Sequence, residues 1–484
     1  MIYMNINTHD YEHDVLVSIG AFYPGEKIVT EITKKDECRL GVCVTAEETE
    51  VSGMVSGDGR EERFSFVHDT DDKKLIRNRL KRELYDIFSR LTGKILPWGT
   101  MTGIRPVKIP TKLIEQGYDD SFITDHLERE YYISPEKAKL SLQVAHTEHR
   151  LLSALDYENG CSLYVGIPFC PTTCLYCSFT SYPLSMWKDR VDEYLDALMK
   201  ELAFLSEYLK GKKLNSVYIG GGTPTTLLPY QLDRLITFIE DNFDLRNISE
   251  FTVEAGRPDS IDRDKLMTLK KHNIGRISIN PQTMNQKTLD LIGRRHTVSQ
   301  INETFALARE CGFDNINMDI IVGLPGEDKA DVENTLMQIG KLGPDSLTVH
   351  SLAIKRAARL NIMKEQYADY HIENTDEIIN MTYDFATGQG MQPYYLYRQK
   401  NMAGNFENVG YAGEGKEGLY NILIMEEKQS IYAAGANAQS KIVYREPDRI
   451  ERIENVKNVG EYIDRVDEMI ERKRRLLSFK DYMV

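Results

Sequence analysis

The sequence predicts an α/β protein, and three observations carry that reading. From Leu163 onward, short apolar runs alternate with longer amphipathic stretches six times. Residues able to do chemistry recur just after those apolar runs. The segments before and after this region lack the alternation. Repeated strand–helix units build a parallel sheet, and active residues then sit at the carboxyl ends of its strands. Six units suit an incomplete (β/α) barrel as well as an open doubly wound sheet. Three regions are expected: an N-terminal α+β region over residues 1–155, the alternating core over 156–355, and a C-terminal α+β region over 356–484.

In the first region, Asp14–Ile19 and Glu37–Val44 read as strands around a turn at Tyr23-Pro24-Gly25, and Glu62–Val67 alternates polar with apolar. Asp71 or Asp72 is placed to cap a helix running to about Leu91, with Leu75, Leu80, Leu84, Ile87, Phe88 and Leu91 on one face. A loop holding Trp98, read as core, and Arg105, read as surface, leads to helical patches at Thr111–Gln116 and Pro135–Ala154. No catalytic motif stands out here.

The core pairs strand Ser162–Ile167 with helix Asp189–Leu209, Asn215–Ile219 with Pro229–Asn242, and Glu250–Glu254 with Asp262–Lys271. Strand Arg276–Ile279 precedes helices Gln286–Ile292 and Ser299–Cys311; strand Asn315–Val322 precedes helix Lys329–Leu342; strand Ser346–His350 closes the series. Beyond it, Asp376–Thr387 reads as helix, Pro393–Lys400 as β and Asn401–Gly418 as loop. Ala433–Ala438 permits close backbone approach. Asn458–Leu477 reads as one amphipathic helix with Val459, Tyr462, Ile463, Val466 and Ile470 buried, and Arg472–Arg475 as a solvated last turn complementing the helix dipole.

The 484 residues are 41% hydrophobic and carry a net charge of −14, from 74 acidic and 60 basic residues. That is enough for a large core and argues against a general nucleic-acid binder. An anionic substrate would need a local basic pocket against this field. Met1–Val15 shows no basic-then-apolar leader, and no run approaches the roughly 20 apolar residues of a membrane span. Seven cysteines, odd in number and unevenly placed, fit a reducing cytoplasm. Cys38, Cys43, Cys161 and Cys311 read as small buried hydrophobes.

The other three, Cys170, Cys174 and Cys177, lie in a C-x3-C-x2-C loop directly after the first core strand. Thiolates this close suit a metal or an iron–sulfur cluster better than a disulfide, and three ligands leave one metal position open. Structural zinc would recruit a fourth ligand, and no second cysteine pair exists. Gly220-Gly221-Gly222-Thr223-Pro224-Thr225 follows the second strand, Glu254 ends the third, Gln282 follows the fourth and Asp319 lies in the fifth. Each is weak alone; their shared placement puts them on one rim.

The cysteine loop, with an aromatic before its third cysteine, resembles the radical S-adenosylmethionine (SAM) enzymes. The blocks Tyr164–Cys170, Gly220–Thr225, Ile277–Gln282, Gly293–His296 and Asn317–Pro325 resemble the anaerobic coproporphyrinogen III dehydrogenase family and its relatives. The N-terminal region, Pro393–Lys400 and Asn405–Tyr411 resemble its HemZ-type branch. The resemblance implies a partial (β/α)6 barrel core. It implies a [4Fe–4S] cluster on Cys170, Cys174 and Cys177, whose open iron binds SAM. It implies SAM contacts at Tyr164, Tyr176, Gly221, Gly222, Thr223, Glu254, Gln282, Arg294 and Asp319. It implies a tetrapyrrole substrate, coproporphyrinogen III, decarboxylated oxidatively to protoporphyrinogen IX under the C-terminal region. It also implies an electron donor of flavodoxin or ferredoxin type and an electron acceptor. Four substrate carboxylates call for cations, so Lys355, Arg356, Arg359, Arg398 and Lys400 are the candidates, with Tyr395 and Tyr397 as ring contacts. Gly166 stands where well-studied dehydrogenases have histidine, and Phe179 where they have a further cysteine. A haem carrier without decarboxylase activity and a haem-opening radical methyltransferase are the rival readings.

Overall fold

The strands of the two halves of the sequence form separate sheets. The computed structural model describes residues 1–31, 38–57, 59–178, 181–353, 358–363, 367, 370–399, 402, 405–444 and 449–481. It divides into one unit of Met1–His146 with Arg398–Phe406 and another of Thr147–Tyr397 with Glu407–Val484.

The first unit contains β1 (Ile2–Ile6), β2 (Ile28–Val29), β3 (Leu40–Ala46), β4 (Glu50–Gly57) and β5 (Arg60–Val67), in the order β2-β1-β3-β4-β5. β1 runs parallel to both its neighbours, and β3 to β5 form an antiparallel meander. Helices Glu12–Phe22 and Lys73–Thr92 bury Val15, Ile19, Phe22, Leu80, Leu84 and Phe88 with Ile2, Met4, Val42 and Val55 of the sheet. Asp72 accepts from the Lys74 amide, and Gly93 ends the helix in the left-handed region, so both ends follow the sequence. The expected strand at Asp14–Ile19 is helix instead. Tyr11, Val15, Ile19 and Phe22 recur every three to four residues and are all buried, a helical spacing masked by the β-branched run around Leu16. Cys38, Cys43 and Cys311 are half-buried, and only Cys161 of the four scattered cysteines is the expected buried hydrophobe.

The second unit contains β6 (Gly160–Ile167), β7 (Phe169–Cys170), β8 (Tyr182–Pro183), β9 (Lys213–Gly221), β10 (Glu250–Glu254), β11 (Arg276–Ser278), β12 (Ile316–Val322) and β13 (Ser346–Ser351). It continues through β14 (Gln392–Tyr397), β15 (Asn408–Ala412), β16 (Ser430–Ala434), β17 (Gln439–Tyr444) and β18 (Arg449–Glu454). Eleven of these make one sheet, ordered β14-β15-β13-β12-β11-β10-β9-β6-β16-β17-β18. β6, β9, β10, β11, β12 and β13 are parallel neighbours in chain order. Without a reversal of order there is no switch point, so the core is the partial (β/α)6 barrel and not the doubly wound sheet.

The two faces of this core differ. Leu163, Val165, Val217, Ile219, Val253, Ile277, Ile316, Met318, Ile320, Leu347 and Val349 make an apolar outer face. Inward, register aligns Tyr164, Tyr218, Thr252 and Arg276 in one row. A second row is Glu254, Ser278, Asn317 and Ser346, and a third is Asp319, Thr348, Gly410 and Tyr395. Helix Leu419–Glu426 plugs this polar lumen: Glu250 accepts from the Leu419 and Tyr420 amides, and Tyr420 stacks on Tyr218 at 4.4 Å.

Three further expectations for the C-terminal region are corrected. Asn401–Gly418 is not all loop, because β15 lies between β13 and β14; Gly410 admits the Tyr395 ring, and Asn408 bonds to the Ser351 amide at 3.0 Å. The terminal helix breaks at Arg465 into Val459–Asp464 and Val466–Asp481. Lys473 is not solvated: it is 1% exposed and ion-paired to Glu201, which is 0% exposed.

Candidate active site

The cysteine loop leaves β6 and is tied on several sides. The short pair β7–β8 fixes Cys170, and Gly222 and Thr223 donate their amides to Ile167 and Phe169, each at 2.7 Å. A Cβ at Gly222 would lie 2.5 Å from the Phe169 carbonyl oxygen, so the glycine is needed for this approach. Leu175 donates to Ile292 O at 2.9 Å and Thr172 to Gly293 O at 3.0 Å, which brings in the Gly293–His296 block. Cys174 is buried; Cys170 and Cys177 are half-buried. Burial pushes the Cys170 thiol up, against the Thr223 hydroxyl that donates to it at 3.6 Å.

Glu254 is drawn to the lumen by its strand and accepts from Tyr218 at 2.5 Å and from the Gly221 amide at 3.2 Å. Burial pushes its carboxyl up to about 7; Asp319 adds to the shift and the Tyr218 hydroxyl opposes it. Burial also pushes on Asp319, but His350, 3.7 Å away, together with Asn317 and Thr348 holds its carboxyl below the ordinary value. Tyr164 stacks 6.2 Å from both Tyr218 and Tyr420, and burial raises its hydroxyl.

Beside them, the Gln282 amide donates to Asp319 O, and Ile321 donates to Gln282 O, each at 2.9 Å. This holds Gln282 in the left-handed region at φ 69. Arg294 is 3% exposed; its Nη1 donates to the Tyr176 hydroxyl at 3.0 Å, and its Nη2 to Gly256 O at 2.9 Å and Asn280 O at 2.6 Å. Gln282 Oε1, Asn280 Oδ1, Ser278 Oγ and Arg294 Nε are buried without a hydrogen-bond partner among the described residues. Buried polar atoms are normally satisfied, so this group of four on the rim has hydrogen-bonding capacity to offer a polar ligand.

The structure thus gathers Tyr164, Cys170, Cys174, Tyr176, Cys177, Gly221, Gly222, Thr223, Glu254, Gln282, Arg294 and Asp319 around the carboxyl ends of the parallel strands. Tyr395 and Tyr397 stack at 6.2 Å on β14, and Tyr395 faces the lumen over Gly410. Arg398 lies in the first unit, where it donates to Met101 O at 2.5 Å and Asn405 O at 3.0 Å, with Trp98 beneath its guanidinium. Arg359 opens the short helix Arg359–Ile362. Lys355, Arg356, Lys400 and Phe179 lie outside the described residues. The sequence reading missed Tyr218, Tyr420, His350 and Arg257. Alternation of polar residues along β9 and β13 was a usable signal for Tyr218 and His350.

The fold and its cysteine rim define a class, and the Radical SAM superfamily model matches residues 164–339. The chain is 38% identical over 450 residues to the oxygen-independent coproporphyrinogen-III oxidase-like protein HemZ of Bacillus subtilis, covering 91% of this chain and 89% of that one. It is 32% identical over 281 residues to the heme chaperone HemW of the same organism, covering 57% of this chain and 70% of that one. The solved coproporphyrinogen III oxidase HemN of Escherichia coli, a radical SAM enzyme, superposes with a TM-score of 0.51 at 25% identity, over 66% of this chain and 72% of that one. The chain belongs to the HemZ-type, coproporphyrinogen oxidase-like branch of the radical SAM family.

The superfamily uses a [4Fe–4S] cluster and SAM. The donor set here fits both. Cys170, Cys174 and Cys177 are free thiols on one loop, Cys174 buried and the other two half-buried, and soft thiolate donors suit an iron–sulfur cluster. The orphaned amide, hydroxyl and guanidinium atoms match a ligand carrying ammonium, carboxylate and ribose groups. Among the described residues, no helix is long and apolar enough to cross a membrane.

Proposed function

We propose that this chain catalyses the oxygen-independent oxidative decarboxylation of coproporphyrinogen III to protoporphyrinogen IX in the cytoplasm. The observation that carries the reading is the likeness to HemZ, which runs over 91% of the chain and so includes the N-terminal unit. Cys170, Cys174 and Cys177 hold the cluster. Tyr164, Tyr176, Gly221, Gly222, Thr223, Glu254, Gln282, Arg294 and Asp319 hold SAM. When bound, the cluster and SAM supply one-electron reductive cleavage and hence a 5′-deoxyadenosyl radical. Tyr164, Tyr218 and Tyr420 floor the lumen and keep water from the reacting carbon. Tyr395 and Tyr397 offer ring faces to the tetrapyrrole. Each of two propionates loses a β hydrogen, CO2 and one electron to leave a vinyl group. A flavodoxin- or ferredoxin-type donor supplies the reducing electron, and an external acceptor takes the electron from the substrate.

Likeness to the heme chaperone HemW supports a second reading, a haem carrier built on the same core. Anaerobic reconstitution with iron, sulfide, SAM and coproporphyrinogen III separates the two. Vinyl product with stoichiometric CO2 is the expected result. Tight haem binding with no turnover would replace the first reading with the second. A methylated linear tetrapyrrole from haem would replace both.

A further inference from the structure

We propose that Arg257 positions the Cys174 thiolate and raises the reduction potential of the cluster held there, an inference that rests on the cluster reading above. Arg257 follows β10 and is 3% exposed. Its Nε and Nη2 donate to the two carboxylate oxygens of Asp259 at 2.8 and 2.7 Å. That fork directs the remaining nitrogen, Nη1, at the cysteine loop. Nη1 lies 3.2 Å from Thr172 Oγ1, 3.4 Å from Thr172 O and 3.5 Å from Cys174 Sγ.

The placement is built from several loops. The turn Pro258–Ser260 fixes the arginine backbone, with the Ser260 amide donating to Arg257 O at 2.9 Å. Ser260 Oγ shares a hydrogen bond of 2.6 Å with Thr225 Oγ1 of the glycine loop. Lys265 donates to both Thr225 O and Ser260 O at 2.8 Å. A guanidinium so held keeps its geometry whatever the redox state of its neighbour.

Three thiolates give a [4Fe–4S] centre an anionic shell, and one-electron reduction by the external donor adds a further negative charge. Hydrogen bonds and positive charge near the sulfurs stabilise the reduced form, most where water is excluded. Cys174 is the buried member of the three cysteines, so Arg257 acts where screening is weakest. Asp259 holds the far edge of the guanidinium and damps its field. The two residues should therefore act with opposite signs, which a purely structural role would not produce.

The test is an anaerobic redox titration of the reconstituted full-length chain with dithionite, followed by electron paramagnetic resonance, with iron measured for each variant. R257Q is expected to load iron and to lower the equilibrium constant for reduction at least tenfold, 59 mV for a one-electron couple. R257K should recover most of that change, and D259N should shift the potential upward. Should R257Q fail to fold, the neutral double variant R257Q/D259N still removes the sulfur's donor and should titrate below the wild type. An unmoved potential in R257Q or the double variant, or shifts of the same sign in R257Q and D259N, would overturn the inference. A wild-type chain that loads no cluster, or a C174A chain that loads one normally, would overturn the cluster reading itself and this inference with it.

Discussion

Two buried polar centres in the second unit are assembled from similar groups and left in opposite states. Around Glu201 every demand is met: its carboxylate accepts from Lys473, from Asn455 at 2.8 Å, from the Gly435 amide at 2.9 Å and from Tyr462 at 2.5 Å. Lys473 also donates to Asn455 Oδ1 at 2.7 Å. On the rim, Gln282, Asn280, Ser278 and Arg294 each keep an atom with no partner among the described residues. A closed network specifies packing; an open one leaves hydrogen-bonding capacity for a polar ligand. Polarity and burial alone would not have separated the two.

Substitutions on the two sides should therefore fail differently. The largest effect is expected at the rim: C174A should drop bound iron to background in the reconstituted protein while far-ultraviolet circular dichroism is unchanged. Next comes the closed network, where K473M leaves Glu201 buried and uncompensated. A loss of about 3–5 kcal/mol in urea unfolding is expected, and full stability would mean the pair is dispensable.

A smaller effect separates the lumen carboxylate. The folded chain holds the Glu254 proton more tightly than the unfolded one, at about 7 against 4.5. Stability should thus fall as pH rises across that window, by up to about 3 kcal/mol, and stay lowered above it. E254Q should flatten this slope in denaturation curves taken from pH 4.5 to 8, where the wild type keeps it. The smallest is Q282G, which relieves a left-handed side-chain residue. It should gain about 1 kcal/mol of apo stability while weakening SAM binding by calorimetry. A rim residue that gains stability and loses ligand is the reverse of Lys473.

Much of the core was legible because its signals are local. Helices Pro229–Asn242 and Lys329–Leu342 and strand Glu250–Glu254 lie where periodicity placed them. The motif residues fall on one rim because they follow successive parallel strands. What escaped depends on distant partners. Asn408 and Gly410 look like loop residues until β13 and the Tyr395 ring are beside them. Lys473 looks solvated until Glu201, far back in the chain, meets it. One local signal was present and went unused. Ser216 and Tyr218, Glu250 and Thr252, and Thr348 and His350 alternate with apolar residues within the core strands. A doubly wound sheet is apolar on both faces, so that alternation already distinguished a lumen from a second layer of helices.

The pairing of β6 with β16 carries a consequence for how the protein is made. Cys161 in the strand that leads to the cysteine loop is in register with Ser430, 269 residues later (430 minus 161). At about 5–20 residues per second, the ribosome needs on the order of a quarter of a minute to a minute to close that gap. Until then β6 lacks one of its two neighbours, and the Gly435 turn against Gly166 does not exist. The strand that leads into the cysteine loop therefore completes its pairing only after nearly the whole chain has been synthesised, although the loop's own ties to Gly222, Ile292 and Gly293 come from residues made much earlier.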